Sequence, residues 1–274
     1  MDLIEARNLD CGYGKKPIFS GISFTVRPGE VFCVLGPNGV GKTTLFRTIL
    51  GFEKPLGGDI FLETKRLRYW KRNDLAKKIA YVPQAHIPPF PYTVEEVVIM
   101  GRTIRFEKSH FGRNLPGKMD YEKTENILEH MGIVHLRKRT YTHISGGERQ
   151  LVLIARALAQ EPEYLVMDEP ALNLDFGNQM HLINETIRLR ETGMGIIMTS
   201  HHPDHVFLCA DRVMLMKWGN RFSIGSKDEI LTEEQLTDTY EVSIKILRGN
   251  RDNGSTVAAC TADLSFSPKQ RKNF

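Results

Sequence analysis

The stretch Val31-Phe32-Cys33-Val34-Leu35-Gly36-Pro37-Asn38-Gly39-Val40-Gly41-Lys42-Thr43-Thr44 decides how the rest of the chain is read. Five apolar residues run into a glycine-rich turn, then into a segment of helical character that stops at Gly51. Residues 36–43 fit G-x-x-x-x-G-K-[ST]. The glycines let backbone N–H groups close around phosphate oxygens, and the start of the following helix adds its dipole. Lys42 is placed to reach β- and γ-phosphates, and the Thr43 hydroxyl to ligate Mg²⁺. Spacing alone is not decisive. Residues 112–119 repeat GxxxxGK but end in Met119, which offers no hard oxygen, and follow no apolar strand. That second match is read as chance.

Working outward, residues 4–9, 22–26, 59–62 and 78–82 are short β-rich runs bounded by Gly, Pro and Asn turns. From about 85 to 160 the pattern becomes helical, with helices expected over 94–100, 122–131 and 147–159. Beyond it, apolar runs at 164–167, 195–199 and 212–217 flank a helix expected over 176–190. Buried apolar strands alternating with helices indicate a parallel sheet covered on both faces. The expected division is an α/β unit over 1–247 with a helical insertion at 85–160, followed by a polar, patternless tail over 248–274 that is expected to be flexible.

Two of the apolar strands deliver chemistry to their ends. Tyr164-Leu165-Val166-Met167 runs into Asp168-Glu169-Pro170. Ligands of open parallel sheets bind at the carboxyl edge, which puts this acidic pair beside the phosphate loop. Asp168 suits holding Mg²⁺, and Glu169 suits polarising an attacking water as general base. Residues 195–200 end in His201, which suits donating to a phosphate oxygen or positioning the water. His201, His202 and His205 also suggest zinc, but Pro203 interrupts the spacing and no Cys or Glu completes a ligand set. Gln84, closing the run 79–84, supplies an amide for Mg²⁺ or the water.

Ile144-Ser145-Gly146-Gly147-Glu148 opens the helix expected over 147–159. Ser145 with Glu148 three residues later is a capping box, and the paired glycines leave the helix start bare for an anion. The order of phosphate loop, Gln84, ISGGE, LVMDEP, Asn173-Leu174-Asp175 and His201 resembles the ATP-binding subunit of an ABC transporter over residues 3–245. The resemblance implies an α/β P-loop NTPase core with a mainly parallel sheet, an N-terminal antiparallel β subdomain and an inserted helical subdomain. It implies ATP and Mg²⁺ as ligands, with Tyr13 stacking on adenine and residues from Gly36 to Thr44 around the phosphates. It also implies a head-to-tail homodimer, in which Ser145, Gly146, Gly147 and Glu148 of one subunit cap the γ-phosphate held by the other and Asp175 communicates across the interface. Glu148 stands where Gln is usual in that signature, and Leu151 where a basic residue is common. Neither departure removes a phosphate ligand.

The chain has 274 residues, 37 Lys+Arg against 33 Asp+Glu, and four cysteines with no CxxC. A net charge of +4 is too mild to argue for nucleic acid. No run of about 18 apolar residues is present, and the start lacks a basic, apolar leader. A soluble cytosolic protein is therefore expected, and the resemblance implies a peripheral place on the cytoplasmic face of the membrane. Residues 174–179, 200–205, 98–102 and 111–113 are similar to the subgroup that imports iron–siderophore, haem, cobalamin or molybdate. That resemblance implies two integral-membrane permease subunits, docking near Gln84 and the segment 87–92, and indirectly a cargo-binding protein. A soluble ATPase acting in cofactor or cluster assembly is the alternative.

Overall fold

The computed structural model describes residues 3–84, 90–106, 115–172, 174–250 and 256–263. Asn173, residues 87–89 of the expected docking segment, the stretch 111–113 and the end of the tail from 264 lie outside the described residues. In chain order the elements are β1 (Ile4–Tyr13), β2 (Lys16–Val26), β3 (Val31–Leu35), α1 (Lys42–Ile49), β4 (Gly57–Leu62), β5 (Lys65–Arg66), α2 (Arg72–Lys78) and β6 (Ile79–Val82). Then follow α3 (Val94–Ile99), α4 (Lys118–His130), α5 (Gly146–Ala159), β7 (Tyr164–Met167), α6 (Phe176–Glu191), β8 (Gly195–Ser200) and α7 (Pro203–Cys209). The chain continues through β9 (Arg212–Lys217), β10 (Arg221–Ser226), α8 (Lys227–Ile230), α9 (Glu233–Tyr240), β11 (Ile244–Asn250) and β12 (Thr256–Ala262).

The central sheet has the order β10-β9-β3-β8-β7-β6. Its strands run parallel from β9 to β6, and β10 alone is antiparallel, joined to β9 by a tight turn. The apolar runs read as buried strands are buried on both faces because successive residues point to opposite cores. Val31, Cys33 and Leu35 of β3 face the core on the side of α6 and α7, while Phe32 and Val34 face the other way, toward α1 and the N-terminal strands. The second cover is therefore largely a sheet, β2-β1-β4-β5, all antiparallel. Phe24 of β2 stacks on Phe32 of β3 with ring centroids 4.9 Å apart, joining the two sheets.

Helices α3, α4 and α5 pack on one another at the side of the sheet, within the block read as a helical insertion. The tail reading needs correcting. Residues 244–250 and 256–262 form the hairpin β11–β12, with Ile244 opposite Ala262 and Asn250 opposite Thr256. Its apolar residues are scattered among polar and charged ones, so no long run stands out in the sequence. Ile244, Ile246, Ala258 and Cys260 nevertheless share one face that packs onto the core.

Candidate ATP site

The register of the parallel strands builds the site. Leu35 pairs with Ser200, Met167 with Met198, and Val82 with Met167. The carboxyl ends of β3, β8, β7 and β6 thus release Gly36, His201, Asp168 and Gln84 along one edge. Strand β8 lies between the phosphate loop and the acidic pair, so Glu169 reaches Lys42 across it.

The loop 36–41 is held by close packing. A Cβ on Gly36 would lie 2.6 Å from the Met216 carbonyl oxygen, and Gly41, at φ 118°, caps α1 where a Cβ would meet Ile18 at 2.9 Å. Val40 is buried and Pro37 half-buried, whereas Asn38 is exposed. Gly39 forms the tip, against the Trp218 ring. Lys42 is almost fully buried, and its Nζ donates to the carbonyls of Gly36 (2.8 Å) and Pro37 (3.1 Å). Tyr13 is half exposed, and its hydroxyl accepts a hydrogen bond from Thr44 at 3.3 Å, which sets the ring beside the start of α1.

Glu169 is the hub. Its carboxylate lies 3.1 Å from Lys42 Nζ and 3.4 Å from His201 Nδ1, and accepts from Gln84 Nε2 at 3.3 Å. The His201 contact is close but poorly aligned, and Nδ1 makes no hydrogen bond. Glu169 adopts φ 46°, a left-handed backbone uncommon outside glycine. Burial, then the adjacent His202, hold His201 below the ordinary imidazole pKa, which favours the neutral ring.

Asp168 is buried, and burial pushes its carboxyl up despite hydrogen bonds from Thr199 and Thr43. Asp168, the Thr43 hydroxyl and the Gln84 amide are hard donors converging on the phosphate loop. That set fits Mg²⁺, which takes oxygen ligands and shares them with substrate phosphates. The rings of His201, His202 and His205 lie in sequence with centroids 4.0 and 5.1 Å apart. Among the described residues, no group of three His, Cys, Asp or Glu side chains has metal-binding geometry.

Residues 19–172 match the family model described as ABC transporter. The chain belongs to the ABC transporter family. It is 34% identical over 226 residues to the molybdate import ATP-binding protein MolC of Haemophilus influenzae, covering 82% of each chain. It is 32% identical over 240 residues to the hemin import ATP-binding protein HmuV of Hahella chejuensis, covering 85% of this chain and 90% of that one. Among solved structures, a chain described as a metal-chelate type ABC transporter in an inward-facing conformation aligns with a TM-score of 0.83 at 30% identity. The alignment covers 96% of this chain and 98% of that one. The protein is thus an ABC-type ATPase with the expected α/β fold.

The remaining family motif residues sit on two helix starts. Ser145 caps α5, accepting from the Glu148 N–H at 3.2 Å, while its own N–H donates to the Glu148 carboxylate at 2.7 Å. This is the expected capping box. Asp175 caps α6 and accepts from the Asn178 N–H at 2.8 Å. The two starts meet where Gly147 abuts Asn178 and Leu174. Among the described residues, no hydrogen bond or ion pair joins Ser145, Gly146, Gly147 or Glu148 to Lys42, Glu169 or His201. Leu151 is buried in the face of α5 that packs on the core, where a charge would be costly.

Sequence reading missed Thr199. Its hydroxyl donates to Asp168 Oδ1 at 2.8 Å and accepts from the Glu169 N–H at 2.7 Å, tying the ends of β7 and β8 together. The available signal was a hydroxyl in a buried apolar strand, since such a group must find partners.

Proposed function

We propose that this ABC ATPase powers import of a metal-containing cargo through two separate integral-membrane permease subunits, working as a head-to-tail homodimer on the cytoplasmic face of the membrane. The cargo is an iron–siderophore, haem, cobalamin, or molybdate or tungstate, delivered by a cargo-binding protein. The observation that carries the reading is the convergence of Lys42, Asp168, Glu169, Gln84 and His201 on one sheet edge. The relatives named for molybdate and hemin import support the cargo class. Among the described residues no helix is long and apolar enough to cross a membrane, which is consistent with a permease on other chains.

In this reading Lys42 gives up its contacts to Glu169 and the loop carbonyls to bind phosphate, and Tyr13 stacks on adenine. Released from Lys42, Glu169 polarises the attacking water, and neutral His201 orients it or the γ-phosphate. Thr43, Asp168 and Gln84 would hold Mg²⁺, which supplies charge neutralisation on the phosphates. The partner's Ser145 and following glycines approach the γ-phosphate with free helix N–H groups and their dipole. ATP closes the dimer, and hydrolysis reopens it. Exposed Phe90, whose ring lies edge-on to Tyr92, belongs to the segment proposed to dock the permease.

The test is affinity purification from membranes, followed by uptake of labelled iron chelates, haem, cobalamin and molybdate in a deletion strain. Co-purification with a polytopic subunit and loss of one uptake activity are expected. A protein that never associates with a membrane subunit fits the cofactor- or cluster-assembly alternative instead.

A further inference from the structure

The C-terminal lobe touches the ATP site through a bond that the motif residues do not explain. Tyr240, the last residue of α9, donates its hydroxyl to the backbone carbonyl of His201 at 3.2 Å. Burial pushes the Tyr240 phenol up, so it remains a protonated donor at neutral pH. Three residues on, Asp204 Oδ1 accepts the Cys260 N–H of β12 at 2.6 Å. Two hydrogen bonds therefore bracket residues 201–204, one from α9 and one from the hairpin.

The lobe is itself anchored. Lys217 at the end of β9 bonds Asp238 of α9 at 2.9 Å. Thr237 accepts the Ile244 N–H at 3.0 Å, and Glu233 accepts the Ile246 N–H at 2.9 Å, so α9 and the hairpin are tied to each other. Between this unit and His201 lies a cavity of about 220 Å³, bordered by Pro203, Val242, Ile244 and Thr261. Side-chain packing leaves that flank of His201 open. Directional bonds, rather than close contact, fix the peptide that carries the imidazole.

We propose that Tyr240 is a positioning residue for His201, with the hairpin as a second brace through Asp204, so that the C-terminal lobe sets how well the histidine meets the reacting phosphate. This rests on the proposed role of His201 at the γ-phosphate. Losing the Tyr240 bond leaves the 201–202 peptide tied through the His202 N–H, which donates to Ser200 Oγ at 3.0 Å, and releases its carbonyl end toward the cavity, while the binding loop 36–43, on another strand, keeps its geometry. The effect falls on kcat and not on KM for ATP.

The test compares steady-state ATPase activity and thermal unfolding of wild type, Tyr240→Phe, Asp204→Ala, Asp204→Asn and His201→Ala. Phenylalanine keeps the ring and removes only the donor. The expected result for Tyr240→Phe is a fall in kcat of about three- to tenfold with KM and Tm unchanged, the size of one lost hydrogen bond. Asp204→Ala is expected to act in the same direction, and Asp204→Asn, which keeps an oxygen acceptor, to restore wild-type kcat. A wild-type kcat in Tyr240→Phe beside a crippled His201→Ala overturns the positioning role alone. A kcat loss matched by a lowered Tm and a raised KM also overturns it, by showing a general packing role. A wild-type kcat in His201→Ala overturns both this inference and the role of His201.

Discussion

Glu169 and Lys42, 127 positions apart by their numbers, meet at 3.1 Å with both side chains largely shielded from solvent. The same ammonium also serves two carbonyls of its own loop. A buried carboxylate and a buried ammonium are tolerable only when paired, and each group that leaves the pair needs a new partner. In the proposed mechanism phosphate replaces Glu169 as the partner of Lys42, and the released carboxylate serves as the base. Lys42→Ala is expected to weaken ATP binding by about 10- to 100-fold, the size of one or two charge-assisted hydrogen bonds. Calorimetric titration with ATP checks this, and wild-type affinity would remove Lys42 from the phosphate site.

Glu169→Gln keeps the shape and the hydrogen bond to Gln84 but removes the basic oxygen. Hydrolysis is expected to fall by about 10²- to 10⁴-fold while ATP still binds. The variant should then run as a dimer in size-exclusion chromatography with ATP. Near-normal turnover would exclude Glu169 as the base.

Ser145→Arg places a long cation on the bare start of α5. Hydrolysis should drop to background while ATP affinity of the single subunit stays unchanged, because Ser145 makes its contacts with Glu148 and not with Lys42. Mixing this variant with Lys42→Ala subunits should recover part of the activity if each site is built from two chains. No recovery at any ratio would count against sharing in trans.

Thr199→Val replaces the hydroxyl that bridges Asp168 and the Glu169 N–H with a methyl of the same size. Two buried polar groups lose a partner, so a stability loss of about 1–3 kcal/mol is expected in urea titrations. Turnover should fall as well, since the backbone at Glu169 is held at φ 46° partly by this bond. Unchanged stability and turnover together would remove Thr199 from the bracing of Asp168 and Glu169.

Glu148 supplies a pH-dependent brace. Hydrogen bonding from the Ser145 backbone N–H, and then from its side chain, holds the carboxyl below the ordinary glutamate range. Because the folded value is depressed, the stabilisation is fully present above the unfolded pKa and is lost as pH falls through the folded one. Against Glu148→Ala, wild type should be more stable by about 0.3–1 kcal/mol at pH 7, at the low end because the carboxylate is solvent-facing. The difference should vanish as pH drops well below 4.5. A constant difference from pH 7 to pH 3 would rule out the ionised carboxylate as its source.

Most of the central sheet was legible before any coordinates, because its strands are continuous apolar runs with sharp polar ends. Val31–Leu35, Tyr164–Met167 and Arg212–Lys217 fall where the residues indicate. The capping box at Ser145 and Glu148 was legible for a similar reason, since a cap is a contact across three residues. Thr199, Tyr240 and the β11–β12 hairpin were not. Thr199 looks like any strand threonine until Asp168 is placed beside it, and the hairpin offers only scattered apolar residues whose shared face emerges once β11 pairs with β12 and β12 packs against α7.

The sequence by itself determined the phosphate loop, the acidic strand end, the helix with its bare glycine start, and the order in which they follow. These are local features, fixed by residue type and by spacing within one element. Only the tertiary structure decided that strand β8 separates the loop from Glu169, that Glu169 gathers Lys42, Gln84 and His201, and that a tyrosine from the C-terminal lobe holds the histidine's backbone. Those facts depend on strand order and register, and both are settled by how the two faces of the sheet bury their side chains over the whole chain.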